Sequence, residues 1–260
     1  MNQCVKIVIQ KNQINMKSQL KKITTIAPQD LEKKKIKAKT AKIYLELNDL
    51  HKVMRAEEKH SILAIFQGMD ASGKDGSIVS LYNGLFPVAI NLHSFKAPTH
   101  YEASRGYLWR IHQAVPASGT IEIFNRSHYE DILVPTVHKL LPMDAIKKRY
   151  DHINDFERML EDNGTKIIKF YLHTSKEEQN KRFKERATNI EKKWKYSSND
   201  LKEAKLWDEY MKVYENIFEK SEIKWNIIPA DNKWYRDHLI AKKFEEEMRK
   251  MKMKYPTTLK

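Results

Sequence analysis

A single cysteine, Cys4, stands in 260 residues. One thiol closes no internal disulfide and builds no thiolate zinc cage, which excludes the small secreted scaffolds that depend on such staples. Long apolar runs are absent too. The strongly apolar stretch at residues 62–66 falls far short of the roughly 18 needed to cross a bilayer. Lys6, Lys11 and Lys17 interrupt the N-terminal region, so it lacks the apolar core of a secretory signal. These absences point to a soluble chain in a reducing compartment, most simply the cytoplasm. Glycine and proline number only seven and eight, so each one between elements carries positional meaning. The ten histidines contain no paired metal spacing, and His112, His128 and His138 read as structural. No Ser/His/Asp or Cys/His set suggests covalent catalysis.

Positive charge is plentiful. Forty-eight lysines and arginines stand against 34 acids, a net +14. That excess favours a polyanionic partner: nucleic acid, phosphate chains or an acidic membrane face. With 41% hydrophobic residues, a chain of this size buries roughly 70–75% of its unfolded surface without a staple.

Residues 1–30 read as a basic, disordered leader closed by Ala27-Pro28, and residues 31–260 as one domain. Ile36, Ile43, Leu47, Leu50 and Met54 share one face of a helix over 31–58. A buried strand at 61–66 and a helix at 74–85 follow. Further strands fall at 121–124, 166–172 and 223–228. Helices are expected at 144–163 and at 234–253. Ser175-Lys-Glu-Glu178 is a capping box opening another helix, and the Ser197-Ser-Asn-Asp200 cap starts one running through Tyr214. Strands alternating with helices argue for an α/β fold, a mostly parallel sheet with helices on both faces. The ligand crevice then belongs at the strands' carboxyl ends.

The strongest local pattern is Gly68-Met-Asp-Ala-Ser-Gly73-Lys74, a G-x-x-x-x-G-K loop between a strand and a helix. Its glycines let successive N–H groups turn inward on phosphate oxygens, and the following helix N-terminus adds positive potential. Gly68, Ala71, Ser72, Gly73 and Lys74 are therefore the candidate phosphate cradle. Asp75 replaces the usual Ser or Thr magnesium ligand, and serves either the phosphate site or the helix dipole. Asp70 inside the loop would repel bare phosphate. A magnesium ion shared between Asp70 and the phosphates removes that repulsion. The next strand ends in Asn125-Arg126, and Glu130 follows one helical turn on.

With these residues the chain resembles the polyphosphate kinase 2 family. The resemblance rests on four stretches: Gly68-Met-Asp-Ala-Ser-Gly-Lys-Asp-Gly76; Phe95-Lys-Ala-Pro-Thr99 with Tyr107-Leu-Trp-Arg-Ile-His112; Phe124-Asn-Arg-Ser-His-Tyr-Glu-Asp131; and the run from Lys181-Arg-Phe through Trp194-Lys-Tyr-Ser197. Pro229-Ala-Asp-Asn-Lys-Trp-Tyr235 and Leu206-Trp-Asp-Glu-Tyr210 add to it. It implies a P-loop kinase-like three-layer sandwich with a helical lid near 181–200. It also implies phosphate transfer between inorganic polyphosphate and AMP, ADP or ATP, with guanine nucleotides as further candidates, using Mg²⁺ and an assembly of two or four copies. In such proteins Asp70 and Asn125 correspond to the metal ligands. Many members carry Asp where this chain has Asn125, and an amide is a weaker, neutral ligand. Asn125 with Glu130 resembles the sub-group that phosphorylates both AMP and ADP, although Glu130 also suits the first turn of any helix.

The lid segment 181–195 holds seven cations against two acids. Arg182 and Arg186, four apart, share a helix face, and Lys192 and Lys193 follow. Arginine forks suit a phosphoryl group whose charge spreads over three oxygens. Lys96, Arg110 and Arg126 are the further cations beside motifs, lining the path of a polyanion. Trp194 reads as a packing anchor. The expected chemistry is direct in-line transfer at Lys74, Asp70, Arg126, Arg182 and Arg186. An ATP-dependent nucleotide kinase built like thymidylate kinase is the alternative, and a non-catalytic polyanion binder a second one. No nucleic-acid module is recognisable.

Overall fold

Five parallel strands form one sheet in the order β2-β3-β1-β4-β5. They are β1 (Ser61–Gln67), β2 (Ile90–Ser94), β3 (Ile121–Asn125), β4 (Thr165–His173) and β5 (Trp225–Pro229). The computed structural model describes residues 20–195 and 197–257. Period two in β1 divides the molecule into two cores. Ile62, Ala64 and Phe66 face one side, with α1 (Lys33–Glu57), α2 (Lys74–Tyr82) and α7 (Lys233–Lys250) packed over them. Leu63 and Ile65 face the other, beneath α3 (Glu130–Val137), α4 (Met143–Asp162) and α6 (Trp207–Lys220). α5 (Lys176–Thr188) leaves the carboxyl end of β4. This is the expected α/β three-layer arrangement. Among the described residues no helix is long and apolar enough to cross a membrane.

Several boundaries differ from the sequence reading for physical reasons. Edge strand β2 was not expected, because Ile-Asn-Leu-His-Ser leaves one side to solvent and carries polar residues on both faces. α3 contains Pro135, which cannot donate to Asp131 O; the Arg149 guanidinium takes that carbonyl instead. The helix expected from Ser197 through Tyr214 is three pieces: Ser198–Glu203, a 3₁₀ turn Ala204–Leu206, and α6. Glu203 accepts from Tyr210 Oη at 2.6 Å and from His138 Nε2 at 3.0 Å. The capping box at α5 is half made: Ser175 Oγ accepts from Glu178 N, while Ser175 N donates to Asp231 rather than to Glu178. The expected leader ends sooner than residue 30. Leu20 is buried, and the segment after it hydrogen-bonds to the ends of β4 and β5; residues 1–19 lie outside the described residues.

Lys169 interrupts the apolar face of β4 between Ile167 and Tyr171, wholly buried. Glu157 of α4 meets it at 2.6 Å, and Tyr129 Oη accepts from it at 2.7 Å. His128 Nε2 also reaches Glu157, at 3.2 Å. Burial opposes ionisation of Glu157, but Lys169 and His128 outweigh it and hold its carboxyl below the usual range. This network fixes the backbone immediately after Arg126.

Two other buried histidines give the fold an acid-sensitive side. His51 accepts from Phe86 N and pairs with Ala89 O, and burial lowers it from an ordinary 6.5 to about 4. His238, beside Thr40 Oγ1, is lowered to about 4 by burial and then by Lys242. Between those values the unfolded chain binds more protons than the folded one, so stability rises with pH. Acidification from pH 6.5 to 4 should remove up to about 3 kcal/mol per histidine. Urea melts across that range test this: His51→Gln should flatten the slope, and an unchanged slope refutes the assignment.

Candidate active site

The loop after β1 turns back on itself through left-handed residues. Gly68 has φ 151°, Ala71 59° and Gly73 100°. A side chain at Gly73 would also meet Arg236 Nη1, only 2.3 Å from an added Cβ. Turning the amides inward leaves the carbonyls needing donors. Lys74 Nζ donates to Gly68 O at 2.7 Å and Met69 O at 3.2 Å. Gln179 Nε2 donates to Asp70 O at 2.8 Å. Arg182 Nη1 donates to Ala71 O at 3.0 Å and Ser72 O at 2.7 Å. Every carbonyl from Gly68 to Ser72 thus has a side-chain partner. Burial, then the Arg126 cation, lowers the Lys74 pKa, against the pull of Asp70 and Glu130.

Register places the end of β3 beside that loop, since Phe66 pairs with Asn125. Arg126, itself left-handed at φ 64°, donates from its amide to Phe66 O and from Nη2 to Asp70 Oδ1 at 2.8 Å. Burial disfavours its charge, but Glu130 and Asp70 outweigh burial and raise it. Glu130 is raised above the carboxylate range by burial, which outweighs Arg126 and Lys74.

The loop floors an open groove of about 940 Å³. Nine cationic side chains and four acidic ones line it, so it suits an anion longer than one phosphate. Arg186 reaches Asp200 at 3.2 Å, Lys195 reaches Asp75 at 2.7 Å, and Lys192 pairs with Glu185. A second cavity of about 240 Å³ shares Asp70, Arg126 and Asp200 with the groove and adds Glu130, Tyr210 and Tyr214. The two spaces meet at the Asp70–Arg126 pair.

Gly73, Lys74, Asp70, Ala71, Ser72, Asp75, Lys96, Asn125, Arg126, Arg182, Arg186 and Lys192 all line the groove. Gly68 and Glu130 line the smaller cavity instead. Some expected roles change. All five N–H donors of Arg182 are taken, by Glu178 and by carbonyls of Ala71, Ser72, Ala230 and Asp231. It braces the loop and has no donor left for phosphate. Arg110 is also pinned, donating to Lys96 O at 2.8 Å and lying 3.6 Å from Asp131, outside the groove. Lys193 is exposed and not on the groove: the 3₁₀ turn at Lys193–Lys195 directs Lys192 and Lys195 inward on one side. Trp194 is 78% exposed on the groove wall, so it anchors no core. Asn125 Nδ2 donates to Asp75 Oδ1 at 3.1 Å. Lys195, Lys233 and Arg236 were missed, although Lys233 and Arg236 sit in and just after the Pro229–Tyr235 stretch that carries part of the resemblance.

A magnesium ion fits on the donor chemistry. Among the described residues no group of three His, Cys, Asp or Glu could cage a metal. Asp70 spends one carboxylate oxygen on Arg126 and opens on the groove. One carboxylate plus phosphate oxygens is a normal magnesium set. Asn125, turned to Asp75, contributes at most its carbonyl oxygen.

Because Arg182 holds four carbonyls and a carboxylate in a planar fork, lysine cannot replace it. Arg182→Lys should lose about 2–3 kcal/mol in chemical denaturation, with the phosphate loop loosened. A loss below about 0.5 kcal/mol refutes the brace.

The model of the family described as polyphosphate kinase 2 (PPK2) matches residues 30–256. An AMP/ADP-polyphosphate phosphotransferase from Meiothermus ruber is 45% identical over 213 residues, covering 81% of this chain and 80% of its own length. An ADP-polyphosphate phosphotransferase from Rhodopseudomonas palustris is 39% identical over 227 residues, covering 82% and 78%. The crystal structure of Polyphosphate Kinase 2 from Arthrobacter aurescens TC1 superposes with a TM-score of 0.90 at 35% identity, over 94% of this chain and 90% of that one. By the extent of these matches and the loop that carries them, the chain belongs to the polyphosphate kinase 2 family.

Proposed function

We propose that the protein transfers phosphate in-line between inorganic polyphosphate in the cationic groove and AMP or ADP in the adjoining cavity. The observation that carries this is the junction. The groove and the cavity are separate spaces that share Asp70 and Arg126. With Asp200 these residues form the shared wall, so a phosphoryl group passing from one space to the other passes beside the Asp70–Arg126 pair. An ordinary polyanion binder needs no second cavity.

Catalysis then consists of positioning and charge neutralisation. Lys74 leaves Gly68 O and Met69 O for donor phosphate oxygens, keeping its burial while gaining a charged partner. Arg126 already points at Asp70 and has further donors for the equatorial oxygens. Arg186, Lys192 and Lys195 exchange their carboxylate partners for phosphate. Asp70 would hold a magnesium ion, which would neutralise phosphate charge beside that carboxylate. Glu130 lines the smaller cavity with Arg126, where it orients the acceptor.

Incubation with magnesium, AMP or ADP, and either polyphosphate or ATP as sole phosphate donor tests the reading. ATP formed from ADP and polyphosphate is expected, with Lys74→Ala lowering kcat at least about a hundredfold. Product only from an ATP donor would assign a nucleotide kinase instead. Product under neither condition would leave a binder.

A further inference from the structure

Residues 20–30 run over the carboxyl ends of β4 and β5 and bridge the two cores. Leu20 and Ile23 pack with the α4 and α6 core, Ala27 and Leu31 with the α1 and α7 core. Between these anchors the main chain is tied down. His173 Nε2 meets Ile23 O at 3.1 Å, Asp231 N donates to Thr25 O at 3.0 Å, and Ala27 N donates to Asn232 Oδ1 at 2.8 Å. Most of this stretch precedes the residues matched by the family model, which begin at 30.

Asp231 is where the stretch meets the site. Its Oδ2 accepts from Thr25 Oγ1 at 2.7 Å, and its Oδ1 accepts from Ser175 N, the cap residue of α5, at 2.9 Å. Its main-chain carbonyl accepts from Arg182 Nη2 at 3.3 Å, and Arg182 in turn holds Ala71 O and Ser72 O. One residue therefore joins three things: through its carboxylate the N-terminal stretch and the start of the helix that carries Arg182 and Arg186, and through its main-chain carbonyl and Arg182 the phosphate loop.

We propose that residues 20–30 are a clasp, with Asp231 as its positioning residue, that holds the stem of α5 and the phosphate loop in register. The clasp orders the loop's amides before any phosphate arrives. Its catalytic consequence rests on the donor reading above; the structural coupling does not.

Hydrogen exchange on the full chain separates the two. Thr25→Val keeps the shape and removes the hydroxyl, and should speed amide exchange at residues 70–77 and 175–182 about five- to tenfold, the scale of one lost hydrogen bond. Thr25→Ser should restore wild-type exchange, and Asp231→Ala should exceed Thr25→Val. The far edge strand β2 should not change. With polyphosphate as donor, kcat/KM should fall by a similar factor in Thr25→Val. Equal acceleration everywhere, or a lower melting temperature with wild-type exchange at the loop, makes the stretch a stabiliser only and overturns the proposal. No change in exchange overturns it too. Altered exchange in a protein that uses no polyphosphate would keep the clasp and refute the donor reading.

Discussion

Everything at the site follows from what a phosphate loop does to its own carbonyls. Amides that converge on an anion force the C=O groups outward, into protein, where an unpartnered carbonyl is costly. In this chain the donors come from three places: Lys74 within the loop's own helix, and Gln179 and Arg182 on α5. Those last two are three apart, one above the other on a single helix face. The stem of α5 is consequently bolted to the loop and cannot swing freely over it. Any closure belongs to the residues beyond Arg186, where the ion pairs are exposed and the secondary structure breaks into short turns.

Those outer ion pairs matter because of what they cost to exchange. Lys192–Glu185 and Lys195–Asp75 join partly exposed groups, and pairs of that kind are worth roughly 0–1 kcal/mol. Swapping a carboxylate for a phosphate oxygen is then nearly neutral for each cation, and favourable summed along a chain of phosphates. Asp75 fits this picture better than it fits metal binding. Hydrogen bonds from Lys195 and Asn125 outweigh its burial and hold its carboxyl below the usual range, as the anionic partner of the flap.

The sequence made the phosphate loop, the sheet type and the cationic flap legible because each is written in contiguous residues with a fixed spacing. Gly68 through Lys74 needs only its flanking strand and helix to be read. What it hid were roles set by long-range geometry. Arg182 looks like a phosphate ligand in the sequence, since four residues from Arg186 it shares that face; only the fold shows Ala230 and Asp231 carbonyls closing around it. Arg236 is invisible for the opposite reason. It follows a recognised stretch but earns its place by packing on Gly73, 163 residues away, where a Cβ would collide with it. The N-terminal stretch read as a leader because its contacts are spread singly over backbone and side-chain groups, with no periodic apolar face to announce them.

Arg126 shows how the two halves of the molecule meet. A non-glycine residue at φ 64° carries a backbone strain of about 1–2 kcal/mol and persists only where its surroundings fix it on both sides. Before it, β3 is held in the sheet between β1 and β2. After it, Ser127, His128 and Tyr129 are fully buried: Gln67 Nε2 donates to Ser127 Oγ at 3.2 Å, and Glu157 gathers His128, Tyr129 and Lys169. An ion pair so deep contributes little net stability, because desolvation cancels most of its attraction. What it contributes is direction: these buried contacts hold the turn in the conformation that aims the guanidinium at Asp70, where the groove and the smaller cavity meet.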